Sequence, residues 1–161
     1  MIDQKQVNKL IINGLKGYCG CEVVFANTNA TMPPYPFISC TITTPSAGNP
    51  GTYCVDGDMH YKEVEQIWSI TAQSDNDLEA LEIIYKARDY LENIGILELS
   101  ESGIIPSSLT GITNRDSILT YGYEYRKGFD TTFNLLNKLE KPITEIIEKF
   151  EIQEVTHDKE L

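Results

Sequence analysis

Apolar residues near the N-terminus recur at the spacing of one helix face. Asp3 stands where a capping residue is expected, with Gln6 three positions on, as in a capping box. We therefore predict a first helix over residues 3–16, ended by Gly17 and Gly20. Its buried stripe consists of Val7, Leu10, Ile11 and Leu15.

Three later segments, residues 37–44, 61–73 and 121–136, alternate apolar and polar positions. This pattern is typical of strands in a sheet with one buried and one wet face. In the third segment the aromatic residues share one parity, and Gly128 predicts a bulge. That segment exceeds the usual length of about 5–6 residues. We expect part of it to project beyond its own core and to seek a partner chain.

Two further helices are predicted. One follows caps at residues 74–77, buries a stripe at helical spacing and ends at residues 93–95, after which Leu97 and Leu99 predict a short strand. Pro142 suits the first position of the other. This short C-terminal helix either packs on its own domain or docks on a neighbouring subunit. The first stripe is Ala80, Leu81, Ile84, Ala87 and Leu91; the second is Ile143, Ile146, Ile147 and Phe150.

Together these elements predict an α+β fold: a mainly antiparallel sheet with two helices packed on one face, a long β-hairpin-like strand region and a short C-terminal helix. We expect one domain over residues 1–138, followed by an acidic helix and tail over residues 139–161.

The net negative charge of the chain argues against nucleic-acid binding. Its 161 residues carry 13 basic and 24 acidic side chains, a net charge of −11, whereas such binders need a basic stripe. Acidic side chains concentrate in residues 61–100, with nine acidic against three basic groups, and in residues 139–161, with seven against three. These are either solvated faces or a surface that repels a polyanion.

No catalytic motif stands in the sequence, and histidine occurs only twice. We expect no enzyme, no cofactor and no metal. The cysteine spacing does not suit zinc, so Cys19, Cys21, Cys40 and Cys54 are expected as reduced, buried or half-buried thiols. The alternative of a metal-dependent enzyme would use Asp56, Asp58 and His60. No apolar stretch approaches the ~18 residues that span a membrane.

The second half carries a resemblance. Residues 68–74 (WSITAQS) lead into an Ala-, Leu- and Glu-rich helix, followed by NRDSIL at 114–119 and YEYRKGFD at 123–130. This order, with PYPFIS at 34–39, resembles the neck or tail-terminator proteins of bacteriophages with contractile tails and of related particles. The resemblance covers residues 3–138, and its most specific parts are Asn-Arg-Asp and Arg-x-Gly-Phe-Asp.

The resemblance implies a structural virion protein. It would form a homo-oligomeric ring, commonly of six copies, that caps the head-proximal end of the tail tube, ends tube polymerisation and forms the head–tail joining surface. Its partners would be the tail tube protein, the sheath protein and the head–tail connector protein, with genome DNA passing through the lumen without specific binding. It would lie in the tail or neck of the virion after assembly in the host cytoplasm, with no membrane partner. The alternative is a connector or adaptor on the portal side of the neck.

Several residues match the motifs of this resemblance. We expect Arg115, Asp116, Arg126 and Asp130 to order the fold or the subunit contact, with pairing of Arg115 to Asp116 and of Arg126 to Glu124. Phe129 is either an interface anchor or a core residue. The stripe of Ile143, Ile146, Ile147 and Phe150 lies outside these motifs; if its helix docks on a neighbour, it would connect one subunit to the next.

Overall fold

The computed structural model describes residues 1–48 and 51–141, which form three α-helices, one π-helical segment and eight strands. The helices are α1 (Gln4–Cys19), α2 (Asp77–Asp89) and α3 (Ile96–Glu101), with the π-helical segment (Tyr90–Ile94) between the last two. The strands are β1 (Glu22–Phe25), β2 (Phe37–Ala47), β3 (Cys54–Asp56), β4 (Met59–Ser74), β5 (Ile104–Leu109), β6 (Thr113–Asn114), β7 (Ser117–Leu119) and β8 (Gly122–Glu140).

Helix α1 begins as predicted but extends to Cys19. The Asp3 carboxylate accepts a hydrogen bond from the Gln6 backbone N–H at 3.1 Å, which satisfies one donor of the first turn. Gly20 ends the helix at φ 69°, a left-handed conformation that glycine adopts at little cost. Gly17 lies inside the helix, so its predicted role as a stop is wrong. The apolar stripe continues through it: Val7, Ile11, Leu15 and Cys19 are all buried.

The predicted fold, a mainly antiparallel sheet with two helices packed on it, is wrong: the sheet is mixed, and the described residues form three α-helices and a π-helical segment instead of two helices. The main path of the sheet runs β1-β2-β4-β8-β5, with β3 added to β4 and with β6 and β7 added to β8. Strand β1 pairs in parallel with β2 because a long irregular loop, not a tight turn, joins them. Helix α1 lies against β1 and α2, whereas α2 lies against β4 and β8. The predicted C-terminal helix falls outside the described residues.

Strands β4 and β8 form the longest pairing, from Met59 opposite Glu140 to Ser74 opposite Tyr125. The register continues through Gly128 without a break, so the predicted bulge is wrong. Phe129 and Phe133 face the helices and are buried. The shared parity of the aromatic residues does not place them all in the core, because β8 begins beyond the end of β4. The predicted division at residue 138 stays a prediction; β8 itself runs to Glu140.

The helical layer does not end where the sequence predicts. After α2 the chain passes through the π-helical segment into α3, so the short strand predicted at Leu97 and Leu99 is wrong. The buried ring of Tyr90 occupies the space between Gly14 of α1 and Gly95, where a Cβ on either glycine would overlap it. Two missing side chains thus let α1 approach the π-helical segment.

One hydrophobic core joins the helices to one face of the sheet. Trp68 lies at its centre, with ring centroids 5.6 Å from both Phe25 and Phe133. Alternate residues of β4 are buried on this side, while Ser69 and Thr71 between them point to the opposite face and are half-buried. That opposite face is not covered by a helix of the described chain and is polar at its centre.

Candidate assembly interface

The hairpin of β7 and β8 exposes apolar side chains. We call residues 117–123 the hairpin tip; they carry no charged side chain. Within it Ile118 is 75%, Tyr121 99% and Tyr123 62% exposed. Strand β7 pairs only with the first residues of β8, beyond the point where Ser74 ends β4. The tip therefore extends beyond the end of β4, and its apolar side chains stay exposed.

Arg115 lies on the polar face of the sheet. Its guanidinium donates hydrogen bonds to Ser69 Oγ at 2.6 Å and Thr71 Oγ1 at 2.9 Å. It also pairs with Asp130 Oδ1 at 3.1 Å. The guanidinium therefore links β4 to β8 across the face that no helix covers, and the predicted pairing of Arg115 with Asp116 is wrong.

The Asn-Arg-Asp motif fastens the β6–β7 connection to β8. Asn114 Oδ1 accepts from the Asp116 backbone N–H at 2.9 Å, which closes a local turn. The Arg115 N–H donates to the Arg126 carbonyl at 2.8 Å, and the Arg126 N–H donates to the Asp116 carboxylate at 2.8 Å. The motif thus orders the fold within one chain; a subunit contact through it stays a prediction.

Lys127 is a buried cation held by two carboxylates. Its Nζ lies 2.8 Å from Asp77 Oδ1 and 2.9 Å from Asp116 Oδ1, and its side chain is only 8% exposed. Burial alone would lower the pKa of Lys127, but these hydrogen bonds outweigh it and the pKa is raised. Burial likewise opposes ionisation of Asp116, yet the hydrogen bonds from Lys127 and Arg126 lower its pKa. Through these two ion pairs, Lys127 of β8 is joined to Asp77 at the start of α2 and to Asp116 of the Asn-Arg-Asp motif.

Glu124 is buried at the base of the hairpin tip. Arg126 Nε donates to its carboxylate at 2.7 Å, which confirms the predicted ion pair. The Tyr35 hydroxyl donates to the other carboxylate oxygen at 2.8 Å. Burial, and then this hydrogen bond to Glu124, raises the pKa of Tyr35. The loop before β2 is thereby tied to the beginning of β8.

Phe129 is fully buried in the core, with the Arg88 guanidinium 5.7 Å from its ring centroid. Of its two predicted roles the structure places it in the core of its own chain. Ile143, Ile146, Ile147 and Phe150 lie outside the described residues, and their predicted contact with a neighbour stays a prediction.

The loop predicted as an alternative metal site forms a turn. Gly57 adopts φ 59° between Asp56 and Asp58, in the connection of β3 to β4. The described part of the chain brings no three His, Cys, Asp or Glu side chains together as a possible metal site. All four cysteines are free; Cys19 and Cys40 are buried, while Cys54 is exposed, contrary to prediction.

Sequence reasoning missed Lys127 and Tyr35. The contact of Tyr35 with Glu124 joins residues 89 positions apart, which no local pattern reveals. A lysine on the buried parity of β8 was the available signal for Lys127, because a buried ammonium group requires carboxylate partners.

An exposed apolar hairpin on a well-packed domain is typical of a protein that assembles with other chains. In a comparison with protein families, the model of the phage neck terminator protein family matches residues 7–160. The chain belongs to this family, and it is a structural protein of the phage neck, located in the virion. The match extends well past residue 138, where the resemblance in the sequence ended. Comparison with curated proteins gives no match. No helix of residues 1–48 and 51–141 is long and apolar enough to cross a membrane.

Proposed function

We propose that this neck protein caps the head-proximal end of the tail tube as a homo-oligomeric ring of six copies. The ring ends tube polymerisation and presents the surface to which the head connector binds. The hairpin tip is the observation that carries the proposal: its uncharged, apolar side chains project from the domain, with Tyr121 99% exposed. Burial of such a surface against another chain is favourable, and ring formation provides that chain.

The distribution of charge supports passage of DNA through the ring. The helical layer, residues 77–101, carries seven acidic against two basic side chains, and most of its carboxylates are exposed. A lumen that conducts DNA must not bind it, and negative walls repel the phosphates. The exposed carboxylates of this layer include Glu82, Asp89, Glu92, Glu98 and Glu101.

The partners follow from the position of the ring. It binds the last ring of tail tube protein on one face and the head–tail connector protein on the other, and the sheath protein ends beside it. Assembly takes place in the host cytoplasm, and the role requires neither a catalytic step nor a cofactor.

Electron microscopy of lysates tests the proposal. Deletion of the gene should give overlong tubes, or tails with ragged head-proximal ends beside unattached full heads. Expression of the intact chain from a plasmid should restore joined particles. Tails of normal length with a finished end, beside heads that leak DNA, would instead place the protein on the portal side as a connector. Unchanged particles would refute both roles.

A further inference from the structure

A groove of about 470 Å³ opens near the end of β8 opposite to the hairpin tip. It lies between the start of α1, the α3–β5 connection and β8. Its lining carries two carboxylates, Asp3 and Glu101, and two ammonium groups, those of Met1 and Lys138, so the charges balance. Apolar side chains from α1 and the residues before it, from β5 and from β8 also line it: Ile2, Val7, Leu10, Ile104, Leu135 and Leu136.

Backbone carbonyl groups of β8 beside this groove can accept hydrogen bonds from another segment. Strand β5 begins at Ile104 opposite Leu135, and among the described residues no strand continues along that side of β8. The carbonyl oxygens of Arg126 and Asp130 accept hydrogen bonds from the segments on that side of β8. By the same alternation the carbonyls of Leu136 and Lys138 face it too, and that of Lys138 accepts from the Met1 ammonium group. A segment entering the groove therefore meets apolar side chains and a partly free strand edge.

We propose that the hairpin tip of one copy docks in this groove of the next copy around the ring. The inference rests on the proposed ring and names its contact. Tyr123 and Leu136 stand 13 residues apart on one strand, which separates tip and groove by about 43 Å at ~3.3 Å per residue. The tip cannot reach the groove of its own chain. A contact between two different surfaces on one molecule repeats head to tail, and it closes into a ring where the rotation allows.

Charge favours a second copy as the occupant. Copies with a net charge of −11 repel one another, so contact is easiest where both surfaces are nearly neutral. The tip has no charged residue, and the groove lining carries charges of both signs. Tyr121 and Tyr123 also supply large side chains with few rotatable bonds, which lose little conformational entropy when they are buried in a pocket.

Cysteine crosslinking in assembled particles tests the contact. Tyr121→Cys and Leu136→Cys are combined in a Cys54→Ser background, which removes the exposed native thiol. Because the two positions are too distant to crosslink within one chain, oxidation should give a ladder of linked copies on a non-reducing gel. Particles with Tyr121→Cys alone, or Leu136→Cys alone, are the matched controls and should give no linked pairs. Intact particles without a ladder, or linked pairs from Tyr121→Cys alone, would overturn the proposal.

Mixing of purified variants tests the head-to-tail order. Ile118→Ser with Tyr121→Ser removes the tip surface, and Leu136→Arg places a charge in the groove. Each should weaken self-association by about tenfold or more, while a mixture of the two should form dimers that do not grow. Leu78→Ser with Tyr85→Ser, two exposed apolar positions on α2, should leave assembly unchanged.

The outcomes separate this contact from the function on which it rests. Tip variants that still form rings, but no longer bind tubes, would show that the tip binds tube protein and would overturn the contact alone. Undisturbed tails after deletion of the gene would refute the proposed function whatever the crosslinks show.

Discussion

The guanidinium of Arg115 occupies the space that a side chain at Gly128 would need. A Cβ on Gly128 would lie 2.7 Å from Arg115 Nη1 and 2.7 Å from the carbonyl oxygen of Ile70. The glycine of the Arg-x-Gly-Phe-Asp motif and the arginine of the Asn-Arg-Asp motif are therefore two halves of one contact. The missing side chain at Gly128 leaves a gap on the polar face of the sheet, and the Arg115 guanidinium fills it.

We predict that Gly128→Ala destabilises the fold. The methyl group would collide with a backbone oxygen in a well-paired sheet, which cannot move, and would displace Arg115 from Ser69 and Thr71. Overpacking of this kind costs about 1–3 kcal/mol. Urea unfolding followed by tryptophan fluorescence of Trp68 measures the loss. Gly111→Ala is the matched control, because nothing lies within 4 Å of a Cβ at that exposed position. Equal stability of the two variants would contradict the contact.

A second prediction concerns the stability of the fold at low pH. The pKa of Asp116 is lowered from its ordinary value of 3.8 because the hydrogen bonds from Lys127 and Arg126 outweigh the effect of burial. A carboxyl group with a lowered folded-state pKa contributes stability above the unfolded-state value and loses it as the pH falls through the folded-state value. Asp116→Asn should therefore lower the urea midpoint at about pH 6, and by less at about pH 3, which lies below the unfolded-state value.

The exposed carboxylate of Asp89 provides the control for this experiment. Asp89→Asn makes the same change of charge on α2 and removes no contact of the motif. If Asp116→Asn loses as much stability at about pH 3 as at about pH 6, the interaction is not an ionic one.

The sequence predicts what local spacing determines. The start of α1, the strand period of β4 and the motif residues all follow from patterns within a few positions. The parallel pairing of β1 with β2 does not, because it depends on the path of an irregular loop. The π-helical segment also escapes prediction, since it is set by how Tyr90 fits between Gly14 and Gly95. For the hairpin tip, the sequence indicates a projecting strand, whereas only the structure shows that Tyr121 and Ile118 are both exposed there.

The two interior glycines of α1 should respond differently to replacement by alanine. Gly14→Ala would overlap the buried ring of Tyr90, whereas nothing lies within 4 Å of a Cβ at Gly17. Alanine favours a helix interior over glycine by about 1 kcal/mol, so Gly17→Ala should stabilise by about that amount. Gly14→Ala gains the same propensity but incurs an overpacking cost of about 1–3 kcal/mol, and we expect no stabilisation or a net loss. Thermal unfolding of both variants measures the difference. If both variants are stabilised alike, Tyr90 does not occupy the space beside Gly14.

The cysteines should divide by reactivity with an aromatic disulfide reagent, which the thiolate attacks. Burial raises the pKa of Cys19 and of Cys40 to about 12, so at about pH 8 both stay protonated as well as shielded. Burial also raises the pKa of Cys21, which is half-buried, while Cys54 is exposed. We expect Cys54 to react fast, Cys21 slowly, and Cys19 and Cys40 only at the rate at which the chain opens. Cys54→Ser should remove the fast phase, and urea should release all the remaining thiols at once. A fast phase that persists in a Cys21→Ser, Cys54→Ser double variant would show that α1 does not seal the core over Cys19 and Cys40.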